Sequence, residues 1–240
     1  MPKSKEGNVS NIIIIGLMVL VGGFIFIEPV INPVQKIIRI DLVDISQSAL
    51  NRTFSNNQSY EYLVTKHCKD SIKLLKSGDI LISGKFTITT HTEAVKIDRN
   101  TRRQIKNKCS QATTKPPNFT GKPGTDLHQA IKTIQTEITS QRKNQNEPID
   151  YPVAITVLID ADDIRGPNGS ISISQEIIND IKKMNQKENA ALVLIGLDTS
   201  PTLQSILKKE GIDFCSFEQH KSCTKRVVNK ARIRRSISIY

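Results

Sequence analysis

Residues 37–48 read IIRIDLVDISQS: a mostly apolar run from Ile37 to Val43, then an aspartate and two serines at alternate positions, Asp44, Ser46 and Ser48. An apolar run this short, bounded by turn-forming residues, fits a buried strand. A strand that ends on Asp44-Ile45-Ser46-Gln47-Ser48 delivers three oxygen-bearing side chains to its carboxyl end, and an extended turn aims alternate residues the same way. Taken alone, the pattern is first of all what a helix cap looks like, because Asp and Ser are common and accept hydrogen bonds from the first free N–H groups of a helix. The rest of the chain decides between the two.

Downstream, strand and helix patterns alternate. Ser48–Lys76 carries Tyr60, Leu63, Val64, Ile72, Leu74 and Leu75 at helical spacing and predicts a helix. Ile80–Ile88 and Ala94–Ile97 predict two strands paired as a hairpin at a sheet edge. Arg99 to Lys122 holds Arg99, Arg102, Arg103, Lys106, Lys108, Lys115 and Lys122, no acid, and the pair Pro116-Pro117, and reads as a basic loop. Thr125–Gln141 repeats Leu127, Ala130, Ile131, Ile134 and Ile138 with the period of a helix lying on a sheet. Then come a strand at Val153–Ile159, a helix at Ile173–Met184, a strand at Ala190–Ile195, a helix at Thr202–Lys209 closing at Gly211, and a short strand at Ile212–Phe217. The alternation predicts an α/β fold, an open, mostly parallel, doubly wound sheet with helices on both faces.

In such a sheet, ligands gather at the carboxyl ends of the strands. Three places there carry oxygen donors: Asp44, Ser46 and Ser48 after the first strand; Gly124-Thr125-Asp126-Leu127 at the start of a helix; and Asp160 in VLIDADD (157–163). A DxSxS after strand one, a threonine opening a helix well downstream, and an apolar strand ending in Asp resemble, in that order, the von Willebrand factor A domain and its metal-ion-dependent adhesion site. The resemblance spans residues 35–217. It implies that Asp44, Ser46, Ser48, Thr125 and Asp160 surround one divalent cation.

The chemistry of the donor set agrees with that implication. Mg²⁺ is hard, takes about six oxygens at roughly 2.0–2.1 Å, and is usually held by one or two carboxylates with neutral oxygens and water completing the shell. Mn²⁺ and Ca²⁺ are the alternatives, while the lack of His or Cys in the set disfavours zinc. With three neutral hydroxyls, one coordination position stays with water, which a carboxylate from a partner protein displaces. The chain departs from the family's common wording after Asp160, where Ala161, Asp162 and Asp163 stand in place of a glycine. The extra acids read as a solvated turn or as a further cation contact, and the basic stretch before Thr125 as a source of positive potential at the metal face.

Composition bounds the remaining options. The chain has 240 residues, a formal net charge of +11 and 38% hydrophobic residues, the make-up of a folded globular protein rather than a disordered one. No Trp and 5% aromatics leave no stacking platform, so the charge alone does not argue for nucleic acid. Residues 12–27 read IIIIGLMVLVGGFIFI, uncharged, and with the residues to Val30 they approach the ~20 residues of a membrane-crossing helix. Ser10 or Asn11 suits the cap, and Glu28, Pro29 and Pro33 suit the end. The division is then a basic tail at 1–10, a single-pass anchor at 11–33, the domain at 35–217, and a basic helix or tail at 218–240. A cleavable signal peptide with Lys3 and Lys5 as its basic start is the alternative for the first segment. The short tail favours an extracytoplasmic domain, although Lys36 and Arg39 balance the flanking charge.

Other readings compete. VLIDADD resembles locally the phosphatase motif of haloacid dehalogenases, with Asp160 as nucleophile and Asp162 as acid/base around Mg²⁺, but that family carries the motif on its first strand. His67, Cys68, Cys109, Cys215, His220 and Cys223 match no zinc spacing. In an extracytoplasmic domain Cys215 and Cys223 are the first disulfide to test. Val227, Val228, Ala231 and Ile233 give the basic C-terminal stretch an apolar stripe for packing on the sheet, with a lipid surface or an acidic partner as the alternative. The expectation is a membrane-anchored binding module, not an enzyme, that holds an acidic group of a partner protein through a bound cation.

Overall fold

In the computed structural model of the protein, residues 35–53, 57–116, 125–143, 151–160, 175–196 and 201–233 are described. The expected tail at 1–10, the anchor at 11–33, and Ala161, Asp162 and Asp163 lie outside them. Among the described residues no helix is long and apolar enough to cross a membrane.

Six strands form one sheet: β1 (Ile38–Asp44), β2 (Ile80–Phe86), β3 (Thr90–Lys96), β4 (Val153–Ile159), β5 (Ala190–Gly196) and β6 (Asp213–Ser216). Their order is β3-β2-β1-β4-β5-β6, with every neighbour pair parallel except the β2–β3 hairpin at one edge. The chain thus builds outward from β1 to one edge, returns to the middle, and builds outward again. β1 and β4 flank the point of reversal, in register from Ile38 opposite Val153 to Val43 opposite Leu158. Crevices for ligands open at such a reversal, beyond the carboxyl ends of the strands.

The helices are α1 (Gln47–Leu50), α2 (Tyr60–Ile72), α3 (Arg99–Lys108), α4 (Leu127–Lys143), α5 (Gln175–Lys187), α6 (Pro201–Lys209) and α7 (His220–Ile233). Because side chains alternate along a strand, the sheet sorts its residues to two cores. Ile38, Ile40 and Leu42 of β1 join Ile131 and Ile134 of α4 and Ile181 of α5. Ile37 and Val43 join Leu63 and Val64 of α2 and Val227 of α7 on the other face. α6 closes in the glycine-dependent way the sequence suggests. Gly211 is left-handed (φ 70°), Ile212 N–H donates to Leu207 C=O at 2.9 Å, and Gly211 N–H donates to Lys208 C=O at 3.1 Å.

Two expectations are corrected. The helix expected over Ser48–Lys76 is broken into α1 and α2. Asn57 adopts φ 59° and Ser59 caps α2 by accepting from Tyr62 N–H at 3.2 Å. Asn and Ser side chains offer the backbone such local alternatives to a continuous helix. The stretch read as a basic loop is helical over Arg99–Lys108, started by a reciprocal cap in which Asp98 accepts from Thr101 N–H (2.8 Å) and Asp98 N–H donates to Thr101 Oγ1 (2.7 Å). α3 buries none of its side chains fully and four of its five cations are exposed, so the good helix propensity of Arg, Lys and Gln prevails.

The C-terminal helix is a layer of the domain. Cys223, Val227, Val228 and Ala231 of α7 are buried against β4 and β5. Arg232 reaches the fully buried Asp79 with Nη2 at 2.6 Å and Nη1 at 3.2 Å from its carboxylate oxygens. All four cysteines pair: Cys215–Cys223, and Cys68–Cys109, a pairing that the spacing in the sequence does not suggest. Their sulfurs are therefore not ligands, and His67 is a buried, neutral core histidine, its pKa pushed down to about 4 chiefly by burial.

Candidate functional site

β1 ends at Asp44 and β4 is followed at once by Asp160, so the sheet itself brings two carboxylates to the switch point. Asp44 is fully buried and Asp160 only 3% exposed. Asp44 folds back on its own turn, its Oδ1 accepting from Ser46 N–H at 2.8 Å. Ser46 opens α1, accepting from Ala49 N–H, and its Oγ lies 2.9 Å from Ser48 Oγ. The cap reading and the ligand reading of DISQS are therefore compatible, since one serine serves the helix while its hydroxyl stays in the cluster.

Thr125 arrives from far along the chain. Asp126 N–H donates to Thr87 C=O at 2.7 Å just past β2, and the Asp126 side chain accepts from Gln129 N–H at 2.8 Å at the start of α4. This places Thr125 beside β1, where its Oγ1 donates to Asp44 Oδ2 at 3.0 Å. Asp44, Ser46, Ser48 and Thr125 are thus one hydrogen-bonded cluster. Asp160 lies close enough for its charge to act on Asp44. Ser48 is exposed, so the cluster opens to solvent on its side.

The electrostatics are those of a site short of positive charge. Burial, then the facing Asp160 carboxylate, pushes the Asp44 carboxyl up to about 7, against the hydrogen bonds from Ser46 and Thr125 that lower it. Asp160 Oδ2 is buried and receives no hydrogen bond among the described residues. A buried carboxylate oxygen without a donor is costly, and a hard cation relieves it as a hydrogen bond would. Two carboxylates, one of them with an orphaned oxygen, and three hydroxyls fit a divalent cation of the Mg²⁺ kind.

Two residues of the site carried no marker in the sequence. Tyr60, which the spacing presents only as an apolar position of α2, is fully buried and donates from its hydroxyl to Asp44 C=O at 2.6 Å, bracing the turn from behind. Burial and the two nearby carboxylates hold its phenol well above the usual tyrosine value, so it stays a donor. Tyr60→Phe should leave that carbonyl without its donor and cost roughly 1–3 kcal/mol, read as a lower urea midpoint at unchanged slope. Arg52 lies one turn past Ser48; its Nη1 donates to Asp160 C=O at 3.2 Å and stands 3.7 Å from Asp160 Oδ2. The phosphatase reading fits less well, because its motif follows β4 and not the first strand of the chain.

No protein-family model and no curated protein sequence matches the chain. Solved structures do. A von Willebrand factor type A protein from Catenulispora acidiphila superposes with a TM-score of 0.53 at 11% identity, covering 82% of this chain and 43% of its own. Proximal thread matrix protein 1 from the mussel byssus gives 0.57 at 16% identity, over 82% of this chain and 47% of its own, and has also been solved with a zinc-occupied MIDAS motif. The conserved hypothetical protein BatB from Bacteroides thetaiotaomicron gives 0.55 at 14% identity, over 81% of this chain and 98% of its own. The chain spans less than half the length of the first two. With the strand order and the β1–β4 switch point, these likenesses identify the described chain as a domain of von Willebrand factor A fold.

Proposed function

We propose that the domain is a binding module in which Asp44, Ser46, Ser48, Thr125 and Asp160 hold one divalent cation, Mg²⁺ or Mn²⁺ before Ca²⁺, and that the cation holds an acidic group of a partner protein. The observation that carries this reading is the hydrogen-bonded cluster of Asp44, Ser46, Ser48 and Thr125 beside a second buried carboxylate with an unsatisfied oxygen. The cation would supply the charge that the two carboxylates lack, and the chain's own part is to orient five oxygens drawn from three segments. The assignment is to binding and not to turnover.

For the setting of the module we propose a single-pass anchor in the apolar run at 12–30 and an extracytoplasmic domain. The run's length supports the first. The two disulfides support the second, since disulfides persist in oxidising compartments.

The full chain should melt higher with Mg²⁺ or Mn²⁺ present. At a hundredfold excess over Kd the gain is about 2.7 kcal/mol, roughly 5–10 °C for a domain of this size, and EDTA should reverse it. Asp44→Asn should abolish the response and, by removing one of two facing buried charges, leave the metal-free protein no less stable. An Asp44→Asn chain that shifts like wild type would remove the site. Zn²⁺ belongs in the same series, given the zinc found in the mussel protein.

A further inference from the structure

We infer that Arg52 is an intramolecular counter-ion of the cation site: its guanidinium offsets part of the charge on Asp160 in the metal-free protein, competes with an entering cation, and so tunes the affinity at which the site loads. The inference rests on the cation reading of the site and concerns its regulation.

Three features of Arg52 carry it. First, its main chain is fixed. Arg52 N–H donates to Ala49 C=O at 3.1 Å behind α1, and Arg52 C=O accepts from Tyr60 N–H at 3.2 Å ahead of α2. The break between these two helices, with its bridge between Thr53 and Ser59, therefore holds this side chain at the rim of the site. Second, the guanidinium is held to Asp160 more loosely than a structural ion pair would be. It donates to the Asp160 carbonyl at 3.2 Å but stays 3.7 Å from Oδ2, with its side chain 32% exposed against 4% for Asp160. The Arg232–Asp79 pair in the same domain shows the other kind, at 2.6 Å with exposures of 11% and 0%. Third, the contact offsets part of the charge of Asp160 without giving its buried Oδ2 a hydrogen bond. That oxygen is left for another ligand to satisfy.

A guanidinium and a divalent cation cannot both approach one carboxylate closely without repelling each other. The coupling is reciprocal: whatever Arg52 contributes to the metal-free site it subtracts from the affinity for the ion, and a bound ion loosens Arg52 by the same factor. The partial exposure of the side chain leaves it a route into water when the ion enters.

The test is calorimetric titration of Mg²⁺ and of Mn²⁺ into the full chain as wild type, Arg52→Gln, Arg52→Met and Arg52→Lys, with melting temperatures read with and without the ion. Both neutral variants should bind about tenfold more tightly, as expected for removing a like charge near an ion in a half-buried site. They should melt lower without metal and gain more from it. Arg52→Lys, which keeps the charge, should stay within about threefold of wild type. A residue that merely braces the fold would lower both melting temperatures equally and leave Kd unchanged. If Gln or Met destroys the fold, the other variant decides. Unchanged affinity in a wild type and neutral variants that all bind metal overturns the role of Arg52 and leaves the cation site standing. Absence of binding in all four chains overturns both. Binding that appears only in the neutral variants supports both.

Discussion

Asp41→Ala should cost the domain roughly 3–5 kcal/mol, a large share of the stability of a domain of ordinary size. Ile37, just ahead of β1, and Val43 point into the α2–α7 core, yet β1 places Arg39 and Asp41 between them on the same face. The Arg39 side chain is 1% exposed and that of Asp41 16%. Their charges survive there because β1, α2 and β4 each contribute a partner, although Arg39 Nη1 has no hydrogen bond among the described residues. Arg39 pairs with Asp41, its Nε lying 2.9 Å from Asp41 Oδ1. Its Nη2 donates to Ser71 Oγ of α2 at 3.0 Å and to Thr156 Oγ1 of β4 at 2.7 Å. Ser71 Oγ in turn donates to Asp41 Oδ2 at 2.6 Å. Burial alone would raise the Asp41 carboxyl, but Arg39 foremost, with the hydrogen bond from Ser71, holds it below the ordinary value of 3.8. A carboxyl depressed on folding stabilises fully above its unfolded value, so this contribution should be complete above about pH 4 and fade as the pH falls through the folded value.

Removing Asp41 strands a guanidinium in an apolar layer, and the stranded charge, more than the lost attraction, accounts for the cost. Arg39→Met combined with Asp41→Leu takes both charges away and should recover most of the loss, within about 1–2 kcal/mol of wild type. Urea denaturation of wild type, single and double variants measures this. A single variant within about 1 kcal/mol of wild type would mean that water reaches Arg39 and that the layer is not dry.

That network also marks how far the sequence could be read. IIRIDLV is legible as a buried strand because five of its seven side chains are aliphatic. Nothing local says that Arg39 and Asp41 face inward, since their partners Ser71 and Thr156 stand 32 and 117 residues away. The clustering of Asp44, Ser46, Ser48 and Thr125 at the candidate site was legible for a related reason. Its donors sit at strand ends and at a helix start, where local pattern is strongest, and their order along the chain carries the rest. Arg52 was not legible, because the break between α1 and α2 that positions it depends on Asn57 and Ser59 outweighing the helical spacing of Leu63 and Val64 around them. α3 was hidden by its charge: a run of cations reads as solvated loop, and the reciprocal cap formed by Asp98 and Thr101 is a weaker signal than seven basic residues.

Breaking the Cys68–Cys109 disulfide should be nearly as damaging as losing Asp41, and α3 is where the damage should start. That bond closes a separation of 41 residues, for which the chain-entropy account gives about 4 kcal/mol, against about 2–3 kcal/mol for the 8-residue separation of Cys215–Cys223. α3 buries none of its own side chains fully. It is attached through half-buried Ile105, through Arg102, whose Nη2 donates to Leu75 C=O at 2.6 Å, and through buried Cys109 at its C-terminal end. Cys109 C=O also accepts from Thr65 Oγ1 of α2, but at 3.3 Å. Without the sulfur bridge these contacts must hold a helix of five cations against α2, which itself carries exposed Lys66 and Lys69. Cys68→Ala with Cys109→Ala should therefore speed amide exchange first in residues 99–111, while the amides of β1 and β4 slow or quicken only with the global unfolding energy. Cys215→Ala with Cys223→Ala should spare α3 and lower global stability by the smaller amount. Equal losses from the two pairs, or protection of 99–111 unchanged by the first, would place the anchorage of α3 in Ile105 and Arg102 and leave the bridge a minor brace.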